Sequence, residues 1–345
     1  MKAQLKNSFA KCDIFLLLML LSGVVLRIIY LAEYSANINF DIACGADVRE
    51  YFDRMTEMIS GRFFPEKPDI HGIFYPLFSS LFLRISGSIV LLRILQSVLN
   101  FFSFFILYIL LGKYRVNLKI RRIFLAISML YTVQFFHSAE IISESLLVPL
   151  ITVLLCLLYK VRYGEKNRML FAGAAGGVAG LAVLTHGSML LLTLAYPVLL
   201  WYEKRKKCAV MMLASLMLLT GAFCAVKSAS YGRVCFVQEN GAFNFYLGNS
   251  KLADGSCRIR PGLEWRKLHA NAEKEALERG ISKDALFLGR SLHYIFTEPV
   301  GELKLLLRKA VLFFHFKELI SGADPEGLLY EIGRASCRER VCLRV

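Results

Sequence analysis

Carboxylates that could take part in catalysis lie just beyond the first apolar segment, in the stretch ADVREYFDRMTEMISGRFFP. The acids of this stretch are Asp47, Glu50, Asp53 and Glu57. In a helix that Gly61 closes, Asp47 and Tyr51 are four residues apart and share a face. A carboxylate that meets a nucleophile can accept its proton, which is worth about 10²–10⁴ in rate. Asp47, at the helix start near the apolar segment, is the candidate base. The alternative is that Asp47 is a solvated surface carboxylate, which is what we expect of the other acids in this stretch.

The elements that would hold this helix are apolar. The chain has 345 residues, is 56% hydrophobic and has a mean hydropathy of +0.50, whereas soluble domains are about 45–50% apolar. Seven segments approach the roughly 20 residues that cross a bilayer. They run over residues 14–32, 88–112, 123–137, 146–159, 169–185, 189–201 and 208–228. We expect an all-α polytopic membrane protein with about 7 or 8 transmembrane helices, the first being too long for a signal peptide.

The distribution of charge indicates how these segments are oriented. The net charge is +15, and basic residues collect in short loops at 2–11, 113–122, 160–168 and 204–207. With seven spans these loops lie on one side, the cytoplasm by the positive-inside rule. The acidic loop 34–72 then lies outside, so the basic excess reports topology, and we expect no nucleic-acid partner.

A polar region follows the seventh segment. Residues 231–302 open with RVCFVQENGAFNFYLGNS, whose β-branched and aromatic runs and Asn-Gly turn predict strands. Two helical patterns separated by Gly280 follow, so we expect a small mixed α/β extracytoplasmic region. Residues 303–331 predict an interfacial amphipathic helix or a partial transmembrane helix. The Arg-rich tail 332–345 has no apolar period, and we expect it to be non-native and the natural chain to be longer.

Asp47-x-x-x-Tyr51, followed by Gly61, Phe63 and Phe64, resembles the first outer loop of the GT-C glycosyltransferases. These enzymes depend on polyprenyl phosphates and include the dolichyl-phosphate-mannose protein mannosyltransferase-like proteins. Further stretches resemble family segments in the same order, over residues 14–320. They are HGIFYPLFSSLFLRISG, HSAEIISESLLVPL, GLAVLTHGS, YGRVCFVQENGAFNFYLGNS and IFTEPVGELKLLLRKAVLFF. His186 stands where the family more commonly has Arg.

The resemblance implies an inverting transferase in a cell membrane with an extracytoplasmic active site. Its donor would be a polyprenyl-phosphate sugar and its acceptor a lipid, glycan or protein. The resemblance assigns the general base to Asp47, with Asp41 as a second choice. The departing phosphate anion would be stabilised by cations or helix N-termini. We expect no cofactor, because Asp41 and Asp47, which could share a metal, match no defined ligand set. The candidate substrate contacts are Asp41, Tyr51, His71, Tyr75, Glu144, His186, Lys227 and Asn249.

Structural alternatives stay open for these residues. Glu144 can favour a helix N-terminus, His71 can be a plain interfacial histidine, Lys227 can snorkel to headgroups and Asn249 can make a turn. Two other function classes also stay open. A lipid or glycan transporter or flippase predicts polar residues within the spans and two related halves, and a non-catalytic scaffold makes Asp47 dispensable.

Overall fold

The computed structural model describes residues 13–37, 46–66, 71–256 and 263–314. This part of the chain contains fourteen α-helices and no β-strand. In chain order they are α1 (Ile14–Asn37), α2 (Ala46–Ile59), α3 (Phe74–Ser86), α4 (Ile89–Lys113), α5 (Leu118–Leu130), α6 (Thr132–Ala139), α7 (Glu144–Tyr163), α8 (Arg168–Thr185), α9 (Met189–Tyr202), α10 (Lys206–Tyr231), α11 (Gly241–Gly248), α12 (Leu263–Glu278), α13 (Lys283–Thr297) and α14 (Pro299–Phe313). Asp41 and the predicted tail 332–345 lie outside the described residues.

Five of these helices are long and apolar enough to cross a membrane, namely α1, α4, α7, α8 and α10. Each coincides with a predicted segment, which confirms the all-α class and fits a multi-pass membrane protein. Their outward faces are apolar, as a lipid solvent requires. On α1, for example, Ile14, Leu17 and Ile28 are each more than half exposed, at 69%, 55% and 61%.

Two predicted spans take a different form. α9 is apolar but has 14 residues, a length of about 21 Å that falls short of a ~30 Å hydrocarbon core. The predicted segment 123–137 is divided between α5 and α6. The division falls at Tyr131, whose backbone is extended with φ −75° and ψ 103°, so neither half reaches the length of a span.

The chain forms two compact units. The first comprises the described residues within Met1–Ala43, Tyr51–Pro65 and Gly72–Val237. In this unit α8 packs against both α7 and α10. The buried core there is built from small residues of α8, such as Ala175 and Ala179, and larger ones of its neighbours, such as Leu154 and Met212.

Glycines let α8 approach α10 closely. A Cβ added to Gly176 would lie 2.1 Å from the Met212 carbonyl oxygen, and one added to Gly180 would lie 2.9 Å from a Leu219 methyl carbon. The sequence contains two overlapping Gly-x-x-x-Gly pairs, of which the Gly176 and Gly180 pair makes this interface. A Cβ on Gly177 would meet nothing within 4 Å, so this glycine is not part of the helix contact.

The second unit comprises the described residues within Cys44–Glu50, Glu66–His71 and Gln238–Val345. Its core joins α11, α12 and α13 through Phe243, Tyr246, Ala272, Ala276, Leu286 and Phe287. Ser282 caps α13 by accepting a hydrogen bond from the Ala285 amide. The strands predicted over 233–250 are absent, because 241–248 is helical. Phe243 and Tyr246 are three residues apart, which places both on one helix face against Phe287.

Candidate functional site

The predicted base, Asp47, lies in the first turn of α2 and is partly exposed. α2 is amphipathic as predicted and ends at Ile59, before Gly61, whose φ of 91° suits a residue without a side chain. An acid in the first turn is favoured by the helix dipole, by roughly 0.3–1 kcal/mol. The placement therefore fits an accessible carboxylate at the start of an amphipathic helix.

Tyr51 and Tyr75 are brought together, but as packed side chains. Both belong to the first unit, are buried at 3% and 0% exposure, and meet edge to face with ring centroids 5.2 Å apart. The Tyr75 hydroxyl accepts a hydrogen bond from Gln96 Nε2 at 2.6 Å. This contact ties Tyr51 of α2 to α4 through Tyr75, so both tyrosines position α2.

The two predicted histidines have local polar partners. In the second unit the His71 ring Nε2 lies 2.8 Å from Glu50 Oε2. In the first unit His186 follows the last residue of α8, and its Nδ1 lies 2.8 Å from the Ser188 hydroxyl. Both side chains are half-buried. Each could still offer a proton or an N–H group to an anion.

Glu144 and Lys227 differ sharply in exposure. Glu144 is exposed, is the first residue of α7 and accepts a hydrogen bond from the Ser143 hydroxyl at 3.1 Å. Lys227 is 1% exposed, and its Nζ donates to the Phe236 carbonyl at 2.9 Å. A buried ammonium cannot reach lipid headgroups, so Lys227 fastens the chain after α10 rather than snorkelling.

Asn249, the last predicted contact, terminates α11. Its Nδ2 donates to the Phe245 carbonyl at 2.9 Å, and its Oδ1 accepts from Lys309 Nζ at 2.9 Å. Both contacts lie within the second unit. Asn249 therefore links α11 to α14, which fits the turn-forming alternative.

A buried ion pair that sequence reasoning missed lies in the first unit. Arg93 of α4 and Glu140, between α6 and α7, are 0% and 2% exposed. Arg93 Nη1 lies 3.4 Å from Glu140 Oε1 and donates to the Ala139 carbonyl at 2.9 Å. The Tyr34 hydroxyl of α1 donates to the same carboxylate oxygen. The other oxygen, Glu140 Oε2, is buried and has no hydrogen-bond partner among the described residues.

Polar contacts continue from this pair along α4. Asn100 Nδ2 donates to the Ser145 carbonyl at 2.7 Å, and its Oδ1 accepts from Gln134 at 3.2 Å. One available signal was an arginine five residues into an apolar segment, since a charge within a span needs a partner. The sequence did not say which acid would supply it, because Glu140 is distant along the chain.

Within the described residues, no group of three or more His, Cys, Asp or Glu side chains is arranged to hold a metal ion. Comparison of the chain with models of protein families, with curated proteins and with solved structures finds no match. Over the residues that it describes, the structure defines an all-α protein with five helices long and apolar enough to span a membrane. In the first unit the buried side chains of Arg93 and Lys227 each donate a hydrogen bond to a backbone carbonyl.

Proposed function

We propose that this chain is a membrane glycosyltransferase that takes its sugar from a polyprenyl-phosphate donor. The observation that carries the proposal is the position of Asp47, in the first turn of an amphipathic helix that follows the first span. The ordered resemblance of six stretches to GT-C enzymes supports it. The acceptor is a lipid, glycan or protein outside the cytoplasm.

In the proposed reaction the acceptor's hydroxyl or amine attacks the anomeric carbon of the donor sugar. Asp47 accepts the proton that the nucleophile loses, while the bond from the anomeric carbon to the phosphate oxygen breaks and inverts that centre. The polyprenyl phosphate leaves with the electron pair. His71, which belongs to the same unit as Asp47, is the proposed contact for that anion, because its imidazole can donate a hydrogen bond to it.

Transport of a lipid or glycan is the second candidate function. One observation favours it, namely the burial of Arg93 and Glu140 among helices of the membrane-spanning type. Ionisable residues inside a bilayer often line a transport path. The present pair contacts Tyr34 and a backbone carbonyl, which also suits a structural tie between helices.

One reconstitution experiment separates the two functions. The protein is placed in liposomes with a set of polyprenyl-phosphate sugars labelled in the sugar, and with candidate lipid acceptors. If the protein is a transferase, label appears in a new product, and the product still forms when EDTA is present. A transporter predicts label that changes leaflet and stays on the donor. Leaflet exchange without any product would refute the transferase proposal.

A further inference from the structure

One face of α14 is fastened within the second unit. Glu302 and Leu305 are 7% and 6% exposed, and Lys309 Nζ donates to Asn249 Oδ1 at 2.9 Å. These three residues recur at spacings of three and four, which is one row along a helix. A Cβ added to Gly255 would lie 3.2 Å from Leu312, so the end of α14 also packs closely on the preceding loop.

The opposite face of α14 is apolar and exposed among the residues that the structure describes. Leu303, Leu307, Val311 and Phe314 follow one another at spacings of four, four and three, and they are 58%, 60%, 68% and 85% exposed. Val300, at 65% exposed, extends the same row by one turn. This apolar row is nearly continuous over the helix, and such a surface marks a contact with a protein or a membrane.

A short basic row borders the apolar one. Lys304 and Arg308 are both exposed and are four residues apart, so they project from neighbouring turns of the same side of α14. The combination of a wide apolar face and flanking cations is typical of helices that lie in the plane of a bilayer surface.

We propose that α14 is a lipid-contacting helix that rests on an anionic bilayer surface. Its apolar row enters the boundary between headgroups and acyl chains, and Lys304 and Arg308 contact lipid phosphates. The positive charge of Lys304 and Arg308 favours an anionic lipid surface, rather than an apolar groove of another protein, as the partner of this face. Five helices of the same chain are long and apolar enough to cross a membrane, so a lipid surface is a partner available to this chain.

The same contacts oppose a membrane-crossing α14. In that arrangement Lys304, Arg308 and Lys309 would enter hydrocarbon, at about 2.5–3.5 kcal/mol each near the bilayer centre. Lys309 and Glu302 would also have to leave their places against the second unit. The inference goes beyond the proposed sugar transfer and does not depend on it.

The test places a fluorescent probe on the apolar row. The full chain carrying Trp201→Phe, Trp265→Phe and Leu307→Trp is put into nanodiscs of phosphatidylcholine and phosphatidylglycerol whose acyl chains are brominated near the headgroup or near the chain end. Headgroup-proximal bromine is expected to quench the probe several-fold more strongly than chain-end bromine. A matched control, Leu277→Trp on the polar helix α12, is expected to show little quenching by either, since residue 277 is 77% exposed on a polar helix.

Two outcomes would overturn the proposal. They are an unquenched probe at position 307 and a probe quenched more by chain-end bromine, which would mean that α14 crosses the bilayer.

The basic row is tested by Lys304→Gln with Arg308→Gln, which should reduce quenching in phosphatidylglycerol-containing discs but not in pure phosphatidylcholine. An equal effect in both would exclude phosphate contact. If the tryptophan-free background does not fold, a photo-crosslinker at position 307 of the otherwise natural chain must yield lipid adducts, and their absence counts against the proposal.

Discussion

Arg93 and Glu140 form an ion pair that is almost fully withdrawn from solvent, with Arg93 Nη1 3.4 Å from Glu140 Oε1. The pair joins α4 to the junction between α6 and α7, and Tyr34 brings in the end of α1. Three segments that are far apart in the sequence therefore depend on one set of polar contacts. Breaking such a pair leaves an uncompensated buried charge, which costs more than the pair itself contributes.

The first prediction concerns this ion pair. Glu140→Gln should lower the free energy of unfolding by about 3–5 kcal/mol, because Arg93 keeps its charge and loses its partner. Replacing both residues by methionine should cost less than Glu140→Gln alone. Thermal unfolding of the detergent-purified protein measures both, with Glu144→Gln, at an exposed site, as the control. Equal losses for Glu140→Gln and Glu144→Gln would contradict the assigned role.

The second prediction concerns the contact between α8 and α10. Gly176→Ala should destabilise the first unit by about 1–3 kcal/mol, as overpacking does, since its Cβ would lie 2.1 Å from a backbone oxygen that cannot move alone. Gly177→Ala, one residue along the same helix, meets open space and should be neutral or slightly stabilising. The midpoint of thermal unfolding distinguishes them. A neutral Gly176→Ala would mean that the helices are further apart.

The third prediction is a pH dependence that arises in the second unit. Burial, followed by the nearby charge of Lys283, lowers the pKa of His269 below its ordinary 6.5. The ring lies 4.0 Å from the Trp265 ring and 4.2 Å from the Phe243 ring, measured between centroids. The folded state thus prefers neutral histidine, and the unfolded chain binds the proton more readily. The stability due to His269 is complete above pH 6.5 and is lost as pH falls through the folded pKa.

His269→Phe should therefore remove part of the acid-side loss of stability. Urea unfolding followed by Trp265 fluorescence in a Trp201→Phe background, at pH values from neutral to acid, measures this loss. His293→Phe is the matched control, because His293 is on the exposed side of α13. Parallel acid-side losses in the parent and in His269→Phe would exclude His269 as their source.

A fourth prediction is the number of crossings. We expect seven, with α9 and the α5–α6 pair completing the five long helices, so that residues 34–72 and 231–300 are outside. Reporter fusions after each of the seven expected crossings should alternate between the two sides; the crossings are α1, α4, the α5–α6 pair, α7, α8, α9 and α10. Reporters on either side of α9 that report the same compartment would reduce the count and reverse the assignment of the later loops.

Much of the fold follows from the sequence, because length and apolar composition are local properties. All five long apolar helices and the two helices on either side of Gly280 are predicted from local pattern alone. The strand prediction over 233–250 failed for a tertiary reason. Aromatic residues with high β-propensity, Phe243 and Tyr246, are held in a helix by packing against Phe287, about 40 residues further on, and propensity yields to such packing.

The candidate site is less predictable because it depends on pairing between distant segments. Spacing alone identified Asp47 at the start of a helix. It could not show that Tyr51 and Tyr75 are buried against each other, or that Arg93 meets Glu140. Lys227 had two sequence interpretations, and its burial against the Phe236 carbonyl depends on how the chain folds back after α10.

The most direct test of the proposed base compares two aspartates of the same helix. In liposomes that support transfer from a polyprenyl-phosphate sugar, we expect Asp47→Asn to lower the rate constant by about 10²–10⁴. Donor binding and expression should be preserved. Asp53→Asn, a change at an exposed position of α2, should leave the rate near that of the parent. Turnover by Asp47→Asn at the parent rate would contradict the account.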